Sequence, residues 1–139
     1  MDDLRKPIDV LLFEDSPLES KAITAKLYKR GYSKVVWAQS PVKWQSILDK
    51  YAPAVILMDV VMPGKNGFQA LREIKNNVAY RDVPVIMVSG KTTEADIIWA
   101  LRCGAVGYIK KPFRSKELAA SIKTALANHL EDRILDLQL

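Results

Sequence analysis

The chain has 139 residues, of which 49% are hydrophobic and 27% charged, and its single cysteine excludes an internal disulfide. This length suits one domain. The formal net charge is +5, but the basic residues are spread along the sequence without a nucleic-acid-binding motif, so we expect a solvated basic surface and no direct nucleic acid binding. No apolar run could span a bilayer and the N-terminus does not resemble a signal peptide, so we expect a cytoplasmic protein without a membrane partner.

Apolar runs alternate with helix-start signals along the whole chain. The predicted strands are residues 8–13, 34–38, 54–58, 83–88 and 106–110, and the predicted helices are residues 17–30, 41–50, 68–76, 94–103 and 115–130 or further. Ser16-Pro17 and Ser40-Pro41 each combine an N-cap with a proline at the first helical position, and Glu19 completes a capping box with Ser16. Strict alternation predicts an α/β fold, a five-stranded parallel sheet with helices on both faces in a (βα)5 doubly wound arrangement.

Polar side chains follow the ends of four predicted strands. They are Glu14 and Asp15 after the first strand, Asp59 after the third, Ser89 after the fourth, and Lys110 and Lys111 after the fifth. The carboxyl ends of parallel strands open on one edge of the sheet, so we expect these side chains to converge. Three converging carboxylates repel one another unless a cation joins them, and Mg²⁺ favours such a small set of oxygen ligands.

The expected site combines a carboxylate, a metal ion, a hydroxyl and a lysine. An aspartate can act as a covalent nucleophile, and cations beside it offset the charge of a phosphoryl group. Each signal is weak alone, but all of them occur at strand ends in this order. The pattern therefore predicts phosphoryl transfer to Asp59.

The same residues carry a family resemblance. The chain resembles a response-regulator receiver domain of two-component systems, close to the single-domain chemotaxis (CheY-like) type. The matching segments are Glu14-Asp15, residues 58–67, Val88-Ser89-Gly90 and residues 107–113. The resemblance implies the flavodoxin-like, CheY-like fold for residues 8–130, with an N-terminal extension at 1–7. The tail at 131–139 could extend the last helix, pack on a dimer partner or begin a linker.

The resemblance also assigns roles at the site. Asp59 is the expected phosphoacceptor, which receives the phosphoryl group from a histidine kinase or phosphotransfer protein. Asp15 and Asp59 are expected to bind Mg²⁺ directly, with Mn²⁺ as a substitute. Glu14 is expected to bind the metal mainly through water, and Val61 through its backbone carbonyl. Ser89 would hydrogen-bond the phosphoryl group, and Lys111, before a proline bond that is usually cis in this family, would ion-pair with it.

Further positions concern signal output. Ser89 and Tyr108 are the expected switch pair, and they would alter the surface of the fourth helix, fifth strand and fifth helix that an unidentified partner recognises. Val61 and Lys91 are expected to tune self-dephosphorylation towards a longer-lived phosphorylated state. On the fourth helix, spacing predicts a buried stripe of Ala95, Ile98 and Leu101, which leaves Trp99 towards the rim.

The leading hypothesis is a signalling module, not an enzyme beyond weak self-catalysed phosphotransfer and dephosphorylation, with chemotaxis or motility as the pathway by analogy. The alternative is the N-terminal receiver fragment of a larger DNA-binding or enzymatic response regulator. An aspartate-nucleophile phosphatase is disfavoured because Val61 stands where those enzymes usually carry a second acid. We expect a monomer, with a phosphorylation-dependent homodimer through the fourth and fifth helices as the competing state.

Overall fold

The computed structural model describes residues 3–90 and 92–138, and within them five strands alternate with five helices. The strands are Lys6–Phe13 (β1), Val35–Ala38 (β2), Tyr51–Asp59 (β3), Val85–Ser89 (β4) and Gly107–Lys110 (β5). The helices are Pro17–Lys29 (α1), Trp44–Lys50 (α2), Gly67–Lys75 (α3), Glu94–Arg102 (α4) and Ser115–Gln138 (α5). All strand pairs are parallel, in the order β2-β1-β3-β4-β5. The predicted doubly wound α/β fold is confirmed.

Two apolar layers cover the sheet because successive strand side chains point to opposite faces. Along β1, Val10 and Leu12 pack with α1 and α5, whereas Leu11 and Phe13 pack with α2, α3 and α4. All four of these side chains are buried. The central strands are therefore apolar on both faces, and their polar residues lie at the strand ends.

The predicted start of α2 was wrong. The helix begins at Trp44, after Lys43, and no side chain caps it. The hydroxyl of Ser40 accepts the backbone N–H of Val42 at 3.2 Å, as an N-cap would. The carbonyl of Pro41, however, accepts the N–H of Trp44, three residues further on, at 3.2 Å, so residues 41–43 form a turn before α2.

The predicted buried stripe of α4 was also wrong. Ile98 is 45% exposed and Leu101 is 50% exposed, while Ala100 is fully buried. The apolar residues of α4 fit two overlapping stripes one position apart, so helical spacing cannot choose between them. Tight packing selects the small Ala100, which leaves Ile98, Trp99 and Leu101 as an exposed apolar group. We call these three residues the α4 patch.

The last helix extends beyond its residues that pack in the core, of which Ala125 is the last buried one. Helix α5 continues to Gln138, so the described part of the tail is helical. Among the described residues, no helix combines the length and the apolar character needed to cross a membrane.

The basic residues are less dispersed in space than along the sequence. One open groove between α1 and the start of α5 is lined by Lys26, Lys29, Arg30, Arg114 and Lys116, together with Ala25 and Ser115. The guanidinium Nε of Arg30 donates to the hydroxyl of Ser115 at 3.3 Å, which ties the two helices together. Part of the net positive charge is therefore concentrated on one face.

Candidate functional site

Four strand ends bring polar residues together at one edge of the sheet. Glu14 directly follows β1 and is fully buried, and Asp59 and Ser89 are the last, buried residues of β3 and β4. Lys111 follows β5, and its backbone N–H donates to the carbonyl of Ser89 at 2.8 Å. The structure thus places all the strand-end residues that were expected to carry the chemistry at one edge.

Lys111 is the centre of an ion-pair network. Its Nζ lies 2.8 Å from Glu14 Oε1, 3.1 Å from Glu19 Oε1 and 3.5 Å from Asp59 Oδ2. The other carboxylate oxygen of Glu14 accepts the backbone N–H of Ser16 at 3.1 Å. One lysine therefore links three carboxylates. Lys110, the preceding residue, is exposed to solvent.

Burial perturbs the ionisation of this cluster. It raises the pKa of Glu14 to about 7, against the opposing attraction of Lys111. Burial also raises the pKa of Asp59, and the positive charge of Lys111 offsets only part of that effect. For Lys111 burial lowers the pKa, but its hydrogen bond to Glu14 and the charge of Asp59 outweigh burial, so the pKa is raised overall. The single positive charge of Lys111 therefore does not fully offset the burial of the Glu14 and Asp59 carboxylates.

The acidic residues fit a hard divalent cation. One carboxylate oxygen each from Glu14, Asp15 and Asp59 lies within 4.8 Å of the others, and Asp15 is partly open to solvent. The donor set consists only of carboxylate oxygens, which Mg²⁺ and Mn²⁺ favour. A cation between them would also relieve their mutual repulsion.

Gly67 holds the loop after Asp59 close to the site. A Cβ atom built on Gly67 would lie 2.1 Å from the carbonyl oxygen of Asp59, so no other residue fits without moving the backbone. The N–H of Gly67 donates to the carbonyl of Val60 at 2.8 Å, and Asn66 caps α3 by accepting the N–H of Gln69. Helix α3 therefore begins directly against the backbone of Asp59.

Some supports of the site could not be found from the sequence. The indole Nε1 of Trp37 donates to the Glu14 carbonyl at 2.7 Å, and the side chain of Gln39 donates to the Asp15 carbonyl at 3.2 Å. Both residues lie at or just after β2, and no local signal links them to the acidic pair. The capping-box role expected of Glu19 was wrong in part. Its N–H does bond Ser16, but its carboxylate pairs with Lys111.

The remaining residues of interest lie around the ends of β3, β4 and β5. The Lys111–Pro112 peptide bond is cis. Tyr108 packs against the core on the α4 side, and its hydroxyl is buried without a hydrogen-bond partner among the described residues. Val61 is 62% exposed beside the site. Lys91 lies outside the described residues.

Comparison with known proteins agrees with this geometry. Residues 10–123 match the family described as "Response regulator receiver domain". Protein PilH of Pseudomonas aeruginosa is 38% identical over 118 residues, which cover 85% of this chain and 97% of PilH. Response regulator Rre1 of Synechocystis is 27% identical over 124 residues, 89% of this chain, and the chain spans only 54% of Rre1.

A solved structure extends the comparison to the fold. It is the receiver domain of sensor histidine kinase PA1611 from Pseudomonas aeruginosa, with a magnesium ion coordinated in its active site cleft. Its TM-score is 0.76 at 28% identity, and the match covers 88% of this chain and 98% of that one. With the doubly wound sheet and the match over residues 10–123, these similarities show that the chain belongs to the response regulator receiver domain family of two-component systems.

Proposed function

We propose that this receiver accepts a phosphoryl group on Asp59 from a histidine kinase or phosphotransfer protein. The observation that carries the proposal is the placement of Asp59 at one sheet edge with Glu14, Asp15 and the Lys111 ammonium. Burial beside a fixed cation suits a carboxylate that gains negative charge on reaction, because electrostatic stabilisation is stronger away from bulk water.

In the proposed reaction, an Asp59 oxygen attacks the phosphorus of a phosphohistidine. The new P–O bond forms as the P–N bond breaks, and the electron pair of the P–N bond stays on the ring nitrogen. The imidazole leaves neutral because its other ring nitrogen carries a proton. Lys111, already 3.5 Å from Asp59, stabilises charge on the phosphoryl oxygens, and the Ser89 hydroxyl donates a hydrogen bond to one of them.

Mg²⁺, or Mn²⁺ in its place, would be held by the carboxylates of Glu14, Asp15 and Asp59. By resemblance to the family, the backbone carbonyl of Val61 would complete the protein ligands. When bound, the ion supplies further neutralisation of phosphoryl charge. The magnesium in the PA1611 receiver supports this assignment by similarity. A bound metal ion would also offset the repulsion among the three acidic groups that share this edge of the sheet.

The output step is a population shift between two arrangements of Ser89 and Tyr108. Tyr108 has a buried hydroxyl with no partner in the described chain, so an arrangement that satisfies this hydroxyl would compete well with the present one. The surface that changes is formed by α4, β5 and α5. It includes the α4 patch, whose exposed tryptophan suits a protein partner.

The pathway and the larger context belong to the same proposal. By analogy with single-domain receivers, we assign the protein to chemotaxis or motility signalling, with the output partner unidentified. The second candidate is the receiver part of a longer DNA-binding or enzymatic regulator. The match to Rre1, of which this chain spans 54%, favours that candidate.

The deciding experiment is intact-protein mass spectrometry after incubation with Mg²⁺ and acetyl phosphate. We expect one phosphoryl adduct that requires the metal and is absent from Asp59→Asn. An adduct that persists in Asp59→Asn would contradict the assignment. So would no adduct, with acetyl phosphate or a phosphorylated kinase domain, in a folded protein shown to bind Mg²⁺.

A second expectation concerns the lifetime of the phosphorylated state. Val61 has no group to hydrogen-bond an attacking water, so Val61→Asn should speed loss of the phosphoryl group several-fold. Lys91→Glu should act in the same direction. Decay of the adduct after donor removal measures both effects, and unchanged decay in both variants would refute the tuning role.

A further inference from the structure

The end of α5 carries an exposed apolar stripe. Leu130, Ile134 and Leu137 are 60%, 45% and 85% exposed in the described chain. With Ala127 they are spaced by three, four and three residues, the spacing of positions a and d in a coiled-coil heptad. In this frame Ala127 and Ile134 occupy a, and Leu130 and Leu137 occupy d. We call these four residues the α5 seam.

The α5 seam is not the face by which α5 packs on its own sheet. That face is formed by Leu118, Ile122 and Ala125, all buried in the core. Since successive helical residues are about 100° apart, the α5 seam is rotated by about a third of a turn from it. Earlier in α5 the same frame places the exposed Lys116 and Lys123 at position d, so the apolar pairing surface is confined to the final turns.

We propose that a second copy of this chain covers the α5 seam, in a parallel two-stranded coiled coil. Three features of the helix select this occupant. In parallel coiled coils, Ile at a with Leu at d favours two strands. A two-fold axis lets the same stripe serve on both chains. The first half of α5 is already held by the domain, so little order is lost when the final turns pair.

The flanking charges are compatible with this arrangement. In a parallel pair, position g of one helix faces position e of the next heptad in its partner. Arg133 occupies g and would face the neutral Gln138, so no like charges meet there. The packing faces of the two domains would lie on opposite sides of the pair, because each is rotated by about a third of a turn from the α5 seam.

This dimer goes beyond the proposed phosphoryl transfer and does not depend on it. It replaces the expected monomer with a pair that forms in the unphosphorylated state. It also differs from association through the surface of α4, β5 and α5, because the α5 seam lies on the final turns of α5. Only two heptads pair, so the association is weak and concentration-dependent.

Sedimentation velocity of the full chain, from micromolar to submillimolar concentration, tests the proposal. We expect reversible dimerisation of the wild type and of Asp59→Asn. Ile134→Asn should raise the dissociation constant at least about tenfold. Leu135→Asn is the matched control, because Leu135 is also exposed but occupies the outward-facing position b. Circular dichroism of both variants verifies that the fold is intact.

Three results would overturn the inference. They are a wild type that stays monomeric throughout, a dimer that Ile134→Asn leaves unchanged, and equal weakening by Ile134→Asn and Leu135→Asn. Orientation is tested by Leu137→Cys in a Cys103→Ser background. Parallel helices bring the two introduced thiols together, so mild oxidation should cross-link the chains, whereas absence of the cross-link would exclude the parallel pair.

Discussion

The strand-end site and the α4 patch depart from ordinary burial in opposite directions. At the site, charged groups are buried, and Lys111 contacts three carboxylates. On α4, large apolar side chains are exposed while Ala100 fills the buried position. Charged side chains are rarely buried, and clustered exposed apolar side chains usually mark a contact surface. Neither arrangement is needed for folding alone. This difference agrees with the proposal that the first region carries phosphoryl transfer and that the second contacts a partner protein. Tyr108 of β5 packs against the core on the α4 side.

Removal of the Lys111 ammonium should have the largest effect on stability and on phosphorylation. Lys111→Met leaves Glu14 buried without its partner, so we expect the free energy of unfolding to fall by about 3–5 kcal/mol. Phosphorylation by acetyl phosphate should slow about 100-fold or more, because a fixed charge at the reacting group is lost.

Lys110→Met is the matched control for that variant. Lys110 is the neighbouring, exposed lysine, so we expect a stability change within about 0.5 kcal/mol and unchanged phosphorylation. Urea unfolding and the rate of adduct formation measure both quantities. Similar losses in the two variants would show that the buried network has no special role.

The face of α4 is tested by placing one charge on each side of the helix. Ala100→Glu buries an uncompensated carboxylate and should lower the free energy of unfolding by about 3 kcal/mol. Leu101→Glu should change it by no more than about 0.5 kcal/mol because that side chain is half-exposed. Thermal and urea unfolding compare the two, and a larger loss for Leu101→Glu would reverse the assigned faces.

Lys75 differs from Lys111 because it is a partly buried cation whose partners are backbone carbonyls and not carboxylates. Its Nζ donates to the carbonyls of Arg81 and Val83 at 2.9 and 2.6 Å. Lys75→Met should lower the free energy of unfolding by about 2 kcal/mol because both acceptors lose their donor.

The effect of Lys75 should also depend on pH. Burial lowers its pKa from 10.5 to about 8, so between these values the unfolded chain binds more protons than the folded one. The contribution of Lys75 to stability therefore increases with pH from about 8 to 10.5, and Lys75→Met should cost more at the upper end of this range. Urea unfolding of both proteins across this range measures the difference, and a constant difference would contradict the lowered pKa.

Tyr108→Phe gives the smallest expected effect and tests the link between the two regions. Removal of a buried hydroxyl without a partner should raise the free energy of unfolding by about 1 kcal/mol. Phosphorylation should be unchanged, whereas the structural response of α4 to phosphorylation, followed by Trp99 fluorescence, should weaken. Destabilisation by this variant would mean that the hydroxyl is satisfied in the folded protein.

Residues at the strand ends were predictable because they follow directly from local pattern. Asp59 ends an apolar run, and parallel strands must open on one edge, so its meeting with Glu14 and Lys111 follows from topology. The ends of α1 and α4 were predicted to within one residue. The glycines that follow these helices, Gly31 and Gly104, adopt the positive φ that stops a helix.

Long-range choices were not predictable. Residues 41–43 could begin a helix or form a turn, and the buried face of α4 could be either of two stripes, because local patterns leave both pairs of options close in energy. Glu19 contacts Lys111 across 92 residues, and the basic side chains of α1 and α5 line one groove. Neither contact has a signature at short sequence range.

By itself the sequence determined the parallel α/β fold and the polar residues at its carboxyl edge, because strand period, helix caps and glycine stops are local properties. Three features depend on the folded chain: which carboxylates share Lys111, which side of α4 is buried, and the enclosure of the Tyr108 hydroxyl without a partner in the described chain. These outcomes depend on packing and desolvation among residues far apart in the chain, which no local pattern encodes.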